Sequence, residues 1–124
     1  MLTLSELVTA IPHCWSVETR GGESFTGKHP AAGQCTVSSL LIQKYCGGSI
    51  IGCTVGSSKY SHVKHYFNEL PGGVRVDVTA GQFSKQRVMR QFKVNPDGST
   101  YIFGDTWARV EILEHAVRTY LWAN

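Results

Sequence analysis

A short Pro-Gly-Gly segment at residues 71–73 constrains the fold of this chain more than any other feature. It separates two runs of alternating residues, 65–70 and 74–78, which are rich in aromatic, branched and charged side chains. Proline and glycine adopt the backbone angles that tight turns need, and alternation with a period of two is typical of strands. The two runs are therefore predicted to pair as an antiparallel hairpin, which requires a fold containing a β-sheet.

The length of this loop determines which side chains face each other across the hairpin. If Leu70 pairs with Val74, Phe67 lies directly opposite Asp77, and His65 is the diagonal neighbour of Asp77. His65 and Asp77 would then share one face of the sheet, because side chains alternate between faces along a strand. A register that differs by one residue would move Asp77 to the opposite face.

A second informative stretch is the Gly-Gln-Cys tripeptide that ends at Cys35 and runs directly into a helical pattern of apolar residues. The helix is predicted to span residues 35–45, with Gly47 or Gly48 in the left-handed conformation that commonly closes a helix. The first N–H groups of a helix lack intrahelical partners and carry the positive end of its dipole, so a thiol there is easier to ionise. The predicted buried stripe comprises Val37, Leu40, Leu41 and, at its edge, Lys44.

Cys35, His65 and Asp77 would combine a nucleophile on a helix with a base and a carboxylate on two adjacent strands. This is the three-part arrangement of a cysteine acyl-transfer site. The sulfur attacks an acyl carbon, the imidazole carries a proton from the thiol to the leaving group, and the carboxylate holds the imidazole in its tautomer. A cysteine at a helix start is by itself most often a small buried hydrophobic residue, so the prediction depends on all three side chains converging.

Three further side chains are candidates for supporting roles. The oxyanion that forms during acyl transfer needs hydrogen-bond donors, and the backbone N–H of Cys35 is one. Gln34 or Trp15 is a candidate for the second donor, although Gln34 is equally suited to fixing the loop. Asn68 lies three residues after His65 on the same predicted strand, so its side chain is expected on the opposite face of the sheet. It therefore ranks behind Asp77 as the group that orients the imidazole.

The N-terminal part of the chain is predicted to contain one short helix and a long loop. Residues 4–11 carry apolar side chains at the spacing of one helical face, and Pro12 is expected to end this helix. A polar loop over residues 13–30 then leads to Cys35 and is expected to supply one wall of a cleft.

The remaining segments complete an α+β fold. Residues 49–55 form a β-branched strand, and residues 88–94 and 100–103 are predicted to form a second hairpin. Asp105 is expected to cap a final helix over residues 106–122. We expect the Cys35 helix to pack on a mostly antiparallel sheet of about four or five strands. The predicted apolar face of the final helix comprises Trp107, Val110, Leu113, Val117, Tyr120 and Leu121.

The composition indicates one compact domain that spans residues 1–124, because 42% of the 124 residues are hydrophobic. The first residues contain no basic segment and no long apolar run, which favours neither a signal peptide nor a membrane helix, so a cytoplasmic protein is expected. Cysteines in such a compartment usually stay reduced. The chain has Cys14, Cys35, Cys46 and Cys53.

Nucleic acids and metal ions are not expected to be partners of this chain. The net charge is only +3, and its cations are scattered apart from residues 85–93. His62 and His65 form a His-x-x-His pair, but residues three apart on a strand point to opposite faces, and the chain has no Cys-x-x-Cys pair. Neither a metal nor another cofactor is therefore predicted.

The chain also contains a set of short motifs in a specific order. They are Trp15, Gly33-Gln34-Cys35, Gly47-Gly48, the run from Ser61 through His65-Tyr66-Phe67-Asn68 to Gly73, Val76-Asp77-Val78-Thr79, and Gln82-Phe83. This set resembles the YunG-like proteins, a small bacterial group. The resemblance covers about residues 13–83 and is weaker at residues 109–113. Residues 86–103 have no counterpart in the pattern.

More distantly, the order of cysteine, histidine and aspartate is similar to that of the transglutaminase-like and papain-like cysteine fold. The similarity implies Cys35 as the nucleophile, His65 as the base and Asp77 as the orienting carboxylate. The expected function is a cysteine-dependent hydrolase or acyl transferase that acts on an amide bond of a peptide or other substrate, as a peptidase, amidase, deamidase or transglutaminase. The competing hypothesis is a non-enzymatic protein-binding domain that keeps this scaffold and uses residues 13–30 as a contact surface.

Overall fold

The structure is a computed structural model that describes residues 1–21, 33–56, 63–80, 87–93, 102 and 104–123. Within these ranges three helices and four strands follow one another along the chain. In order, they are α1 (Leu4–Cys14), α2 (Cys35–Cys46), β1 (Ser49–Gly56), β2 (Val63–Glu69), β3 (Arg75–Val76), β4 (Arg87–Lys93) and α3 (Thr106–Ala123).

The strands form one antiparallel sheet in the order β3-β2-β1-β4. Between β2 and β3, Asn68 pairs with Val76, and the Leu70 N–H donates to the Val74 carbonyl over 2.8 Å. This is the register predicted from the length of the hairpin loop. Strand β3 is shorter than predicted and ends one residue before Asp77, which continues on the predicted face of the hairpin.

Strand β1 lies in the middle of the sheet, between β2 and β4. Strand β4 corresponds to the first strand of the predicted second hairpin, and its partner in the described part of the chain is β1, with a register shift between Thr54 and Val55. The other half of that hairpin, predicted at residues 100–103, falls largely outside the described residues.

The main hydrophobic core lies between the three helices and the sheet. Ile50 of β1 and Tyr66 of β2 contribute to it, whereas the residues that follow each of them in sequence belong to a second, smaller cluster on the other face of the sheet. Burying one large aliphatic side chain contributes about 1.5–3 kcal/mol, and the helices supply most of the side chains buried in this core. The helical residues buried in the main core are Leu7, Ala10, Ile11, Val37, Leu40, Leu41, Ile42, Val110, Leu113 and Val117.

Helix α3 buries the predicted apolar face except at one position. Val110, Leu113 and Val117 are almost fully buried, whereas Trp107 is 50% exposed, so its assignment to the buried face was wrong. Trp107 lies in the first turn of α3 and lines an open groove of about 370 Å³ between α2 and α3, instead of reaching the core. Asp105 occupies the predicted cap position, where its carbonyl accepts the first helical hydrogen bond from the Arg109 N–H at 3.0 Å.

Helix α1 continues through Pro12 to Cys14, so the prediction that Pro12 ends the helix was wrong. Proline removes one backbone donor, and contacts from outside the helix compensate for that loss at the last turn. The His13 ring stacks on the Tyr120 ring of α3 with centroids 5.0 Å apart. Ile11, the residue before Pro12, is fully buried and anchors the same turn.

The predicted fold class, α+β with the Cys35 helix next to an antiparallel sheet, is confirmed. Side-chain hydrogen bonds hold this helix on β2: Ser39 Oγ donates to the Tyr66 carbonyl at 3.2 Å, and Asn68 Nδ2 donates to the Ser39 carbonyl at 2.9 Å. No helix among the described residues has both the length and the apolar character that crossing a membrane would require.

Candidate active site

His65 and Asp77 are joined by a hydrogen bond between His65 Nε2 and Asp77 Oδ2, which lie 2.7 Å apart. The His65 side chain is only 3% exposed, whereas that of Asp77 is 27% exposed, so the pair lies where the protein interior meets solvent. Because the bond uses Nε2, Nδ1 is the ring nitrogen that remains to exchange a proton with a second group.

The turn after β3 fixes the Asp77 carboxylate. The backbone N–H and the hydroxyl of Thr79 both donate to Asp77 Oδ1, at 3.3 and 3.2 Å. Thr79 is itself 1% exposed. The two carboxylate oxygens therefore have different partners, with Oδ1 on Thr79 and Oδ2 on His65.

Cys35 is the first residue of α2, as predicted, and its side chain is partly exposed. Gln34 makes no side-chain capping bond, and the first turn of α2 contains no acidic residue. The positive end of the helix dipole is therefore not offset within α2, which favours negative charge at this position. The Cys35 thiol lies close enough to the His65 side chain to influence its pKa. Cys35, His65 and Asp77 therefore lie in one neighbourhood, and a hydrogen bond joins the last two.

Burial and two neighbouring groups together set the pKa of His65. Burial has the largest single effect and lowers the pKa, because the imidazolium loses its water. The hydrogen bond to Asp77, the nearby Cys35 side chain and the charges of these two groups together outweigh burial and raise the pKa from 6.5 to about 9. The His65 ring is therefore protonated at neutral pH and carries a positive charge near Cys35.

Cys53 is a second thiol close to these groups. It lies directly opposite His65 in the β1–β2 register and is fully buried. Burial raises the pKa of Cys53 to about 11, and the charges of Asp77 and Cys35 act in the same direction. Cys53 therefore remains a neutral thiol and packs beside the histidine without competing with Cys35 as a nucleophile.

Asn68 does not contact the imidazole. Its side chain is 1% exposed and donates to the Ser39 carbonyl of α2, while Asp77 occupies His65 Nε2. This agrees with the prediction that the side chains of Asn68 and His65 point to opposite faces of β2. Asn68 instead fixes the position of α2 on β2, one helical turn away from Cys35.

The two candidate side-chain donors for the oxyanion both hydrogen-bond to the protein near the start of α2. Trp15 Nε1 donates to Ser38 Oγ at 2.9 Å. Gln34 is 2% exposed, donates through Nε2 to the Ser16 carbonyl at 3.0 Å, and accepts a hydrogen bond from the Thr19 hydroxyl at 2.7 Å. Gln34 therefore fixes the loop in this structure, and a role for either side chain as an oxyanion donor stays a prediction.

Gly33 explains why the tripeptide before α2 begins with glycine. Its φ is +74°, a conformation that side chains other than hydrogen rarely adopt. A Cβ at this position would lie 2.7 Å from the Gly21 carbonyl oxygen and 2.6 Å from the Arg20 side chain. The Gly33 carbonyl also accepts a hydrogen bond from the Gly21 N–H at 2.8 Å, which joins the two chain segments next to Cys35.

No three His, Cys, Asp or Glu side chains are grouped closely enough to hold a metal ion in the part of the chain that the structure describes. His62, the other histidine of the His-x-x-His pair, lies outside that part. All four cysteines are free thiols; Cys53 is buried and the other three are partly exposed.

Sequence reasoning missed Thr79 and Cys53 as members of this site. The signal for Thr79 was available, because an aspartate followed two residues later by threonine is typical of a turn closed by the aspartate side chain. Cys53 could not be found in the same way, since its position opposite His65 depends on the β1–β2 register, and no short loop fixes that register.

The raised pKa of His65 predicts that the protein loses stability as the pH rises above 6.5. An imidazole with a pKa of about 9 when folded and 6.5 when unfolded binds its proton more tightly in the native state. Its contribution is complete below pH 6.5 and is lost as the pH rises through 9. We expect the free energy of unfolding in urea to fall by about 2 kcal/mol between pH 6.5 and 8.5.

The Asp77→Asn variant is the comparison for this measurement, because it removes the carboxylate that raises the His65 pKa. Its free energy of unfolding should fall less steeply over the same pH range. The raised pKa of Cys53 also lowers the free energy of unfolding as the pH rises, but only above its ordinary pKa of 9.0, so its effect lies outside the range. An equal decrease in both proteins would contradict a role for Asp77 in keeping His65 protonated.

No curated protein and no solved structure matches the chain significantly. A family model described as YunG protein matches residues 3–122. The match extends beyond residues 13–83, where the motifs are concentrated, and its span includes residues 86–103, which had no counterpart in the motif pattern. Because the matched span is nearly the whole chain, the protein belongs to the YunG family.

Proposed function

We propose that the protein is a cysteine-dependent hydrolase or acyl transferase that acts on an amide bond. The observations that carry this proposal are the 2.7 Å hydrogen bond between the buried His65 ring and the Asp77 carboxylate, and the proximity of the Cys35 thiol, which influences the pKa of the same ring. A nucleophile, a proton carrier and an orienting carboxylate are the groups that covalent acyl transfer requires. Cys35 is partly exposed, as a residue that a substrate must reach needs to be.

The first half of the reaction transfers the acyl group to the enzyme. The proton of the Cys35 thiol resides on His65, and the resulting thiolate attacks the carbonyl carbon of the amide. A carbon–sulfur bond forms, and the carbon–nitrogen bond then breaks as the His65 imidazolium gives its proton to the departing amine. The products are a thioester on Cys35, a neutral imidazole and a free amine.

The second half returns the enzyme to its starting state. Neutral His65 takes a proton from the acceptor, which is water in a hydrolase or an amine in a transferase, and the acceptor attacks the thioester carbon. The carbon–sulfur bond breaks, which releases the acid or the new amide and leaves a thiolate on Cys35 beside the His65 imidazolium, as at the start. Asp77 keeps the ring oriented through both halves and stabilises its positive charge.

The start of α2 is suited to stabilising the oxyanion that forms in each half. Backbone N–H groups in the first turn of a helix lack intrahelical acceptors, and the N–H of Cys35 lies next to the reacting sulfur. Neither a Gln34 capping bond nor an acidic side chain in the first turn competes for these donors within α2. Removing one such donor from a known oxyanion hole slows catalysis by about 10²–10³-fold.

The architecture also supports a distant relationship to cysteine enzymes of known type. A helix that begins with the nucleophile and packs on an antiparallel sheet carrying the histidine and the aspartate is similar to the papain-like and transglutaminase-like arrangement. Under this proposal the chain is a small version of that scaffold. Peptidase, amidase, deamidase and transglutaminase activities are the reaction types that it accommodates.

Alkylation with iodoacetamide tests the proposal on the intact protein. At pH 7 we expect Cys35 to react at least about tenfold faster than Cys14 or Cys46, because partly exposed Cys35 lies beside the protonated His65. Burial raises the pKa of Cys14 and of Cys46, which makes these partly exposed thiols suitable internal controls. Peptide mapping by mass spectrometry after timed quenching gives the rate at each cysteine.

Slow and equal modification of all the cysteines would contradict the proposal. That outcome would favour the competing hypothesis, in which the chain is a non-enzymatic binding domain and Cys35 serves only in packing. Fully buried Cys53 provides an additional check, because rapid modification at this position would indicate that the protein had opened during the experiment.

A further inference from the structure

Thr79 occupies a position from which it can control the direction of the Asp77 carboxylate. The β3 ladder ends at Val76, so the sheet does not itself hold Asp77 in place. The Asp77 side chain is 27% exposed, and water can therefore compete for its oxygens. Thr79 is 1% exposed and provides two donors to the same oxygen, Oδ1.

The two donors have different consequences for the carboxylate. The backbone N–H at position 79 would be available to Asp77 with any residue except proline. The hydroxyl bond depends on the threonine side chain and closes a second ring on Oδ1, which restricts rotation of the carboxylate. With Oδ1 occupied in this way, Oδ2 is directed at His65 Nε2, 2.7 Å away.

We propose that Thr79 is a positioning residue of the active site, whose hydroxyl aims Asp77 at His65. The inference rests on the proposed function, because the orientation of the Asp77 carboxylate matters for catalysis only if His65 carries a proton in the reaction. The β-branched side chain of threonine is stiff about its first torsion, so a buried Thr79 holds its hydroxyl in one place better than serine would. Thr79 itself does not touch the reacting atoms.

The test compares Thr79→Val with Thr79→Ser in the full chain. Valine keeps the branched shape and the backbone donor but removes the hydroxyl, whereas serine keeps the hydroxyl. The first readout is the titration of the His65 ring by NMR, assigned among the five histidines with the His65→Gln variant. Asp77 after β3 and Cys35 of α2 influence the titration of this ring, and Cys53 lies opposite it on β1.

We expect Thr79→Val to lower the His65 titration midpoint by about one pH unit, because a freely rotating carboxylate spends less time on Nε2. The rate of Cys35 alkylation at pH 8 should fall by about twofold with it, because the protonated fraction of His65 falls from about 90% to about 50% at this pH. Thr79→Ser should restore most of both values. A midpoint that stays the same or rises in folded Thr79→Val overturns the proposal, since the hydroxyl would then only withdraw charge from the carboxylate.

Two further variants separate positioning from general damage. Thr106→Val makes the same change at another buried threonine, which accepts from Arg109 at the start of α3, and it should leave the His65 titration unchanged. If Thr79→Val does not fold, the smaller Thr79→Ala takes its place with the same expected result. In an Asp77→Asn background, either variant should have no further effect on the His65 midpoint, and an additive effect also overturns the proposal.

The same experiment distinguishes failure of this inference from failure of the proposed function. If His65→Gln leaves Cys35 alkylation unchanged, the acyl-transfer proposal fails, whereas the NMR midpoint still reports on Thr79. If His65→Gln abolishes the enhanced reactivity but Thr79→Val has no effect on either readout, only the positioning role fails.

Discussion

Replacing His65 with glutamine is expected to slow the alkylation of Cys35 at pH 7 by about tenfold or more. Glutamine is polar and of similar size, but it cannot carry the positive charge that stabilises a thiolate. The loss should be largest near neutral pH, where His65 with a pKa of about 9 is protonated. At pH 10 the rates of the two proteins should approach each other, because bulk base then ionises the thiol. Turnover of an amide substrate should fall further, by about 10²–10⁴-fold.

His115→Gln is the matched control for this variant. His115 lies on the exposed side of α3, so the same chemical change there should leave the rate at Cys35 unchanged. An unaltered rate in His65→Gln would show that the histidine does not activate the thiol. A reduced rate in both variants would show that the effect is not specific to the site.

Gly48→Ala is expected to lower the free energy of unfolding by roughly 3–5 kcal/mol. Gly48 has φ +81°, which already costs an alanine about 1–2 kcal/mol. A Cβ there would also overlap the Glu69 carbonyl oxygen and lie 2.9 Å from Leu70 Cα. The turn between α2 and β1 would then have to move away from the end of β2. Urea unfolding followed by tryptophan fluorescence measures the effect.

Gly72→Ala separates backbone conformation from this close approach. Gly72 has φ +93°, but a Cβ there meets no atom within 4 Å. Its substitution should therefore cost only about 1–2 kcal/mol, the conformational part of the Gly48 effect. Equal losses in the two variants would show that the close approach of Gly48 to the Glu69 carbonyl and to Leu70, at the end of β2, adds nothing to the cost.

The part of the site that follows from local rules could be predicted from the sequence. The three-residue loop fixed the register of β2 and β3, and with it the common face of His65 and Asp77. The Gly-Gln-Cys motif fixed the start of α2, because Gly33 adopts a positive φ and the helical pattern begins directly after it. Both features depend on residues close in sequence, so short-range stereochemistry decides them.

The features that the sequence did not reveal depend on contacts between distant segments. Pro12 does not end α1, because the stacking of His13 on Tyr120 supports the last turn from α3. Trp107 has the spacing of a core residue, yet the end of α3 that carries it lies beside an open groove. The position of Gln34 likewise depends on the Ser16 carbonyl, eighteen residues earlier in the chain. Periodicity cannot predict such contacts, because it describes one element at a time.

The formation of a thioester on Cys35 tests the central claim most directly. The intact protein is incubated with p-nitrophenyl acetate, quenched in acid and mapped by mass spectrometry. The account predicts an acetyl group on Cys35 of the wild-type protein, little on Cys14 or Cys46, and a much smaller amount on Cys35 in His65→Gln. Acetylation that is absent from Cys35, or that is shared equally among the exposed thiols, would contradict it.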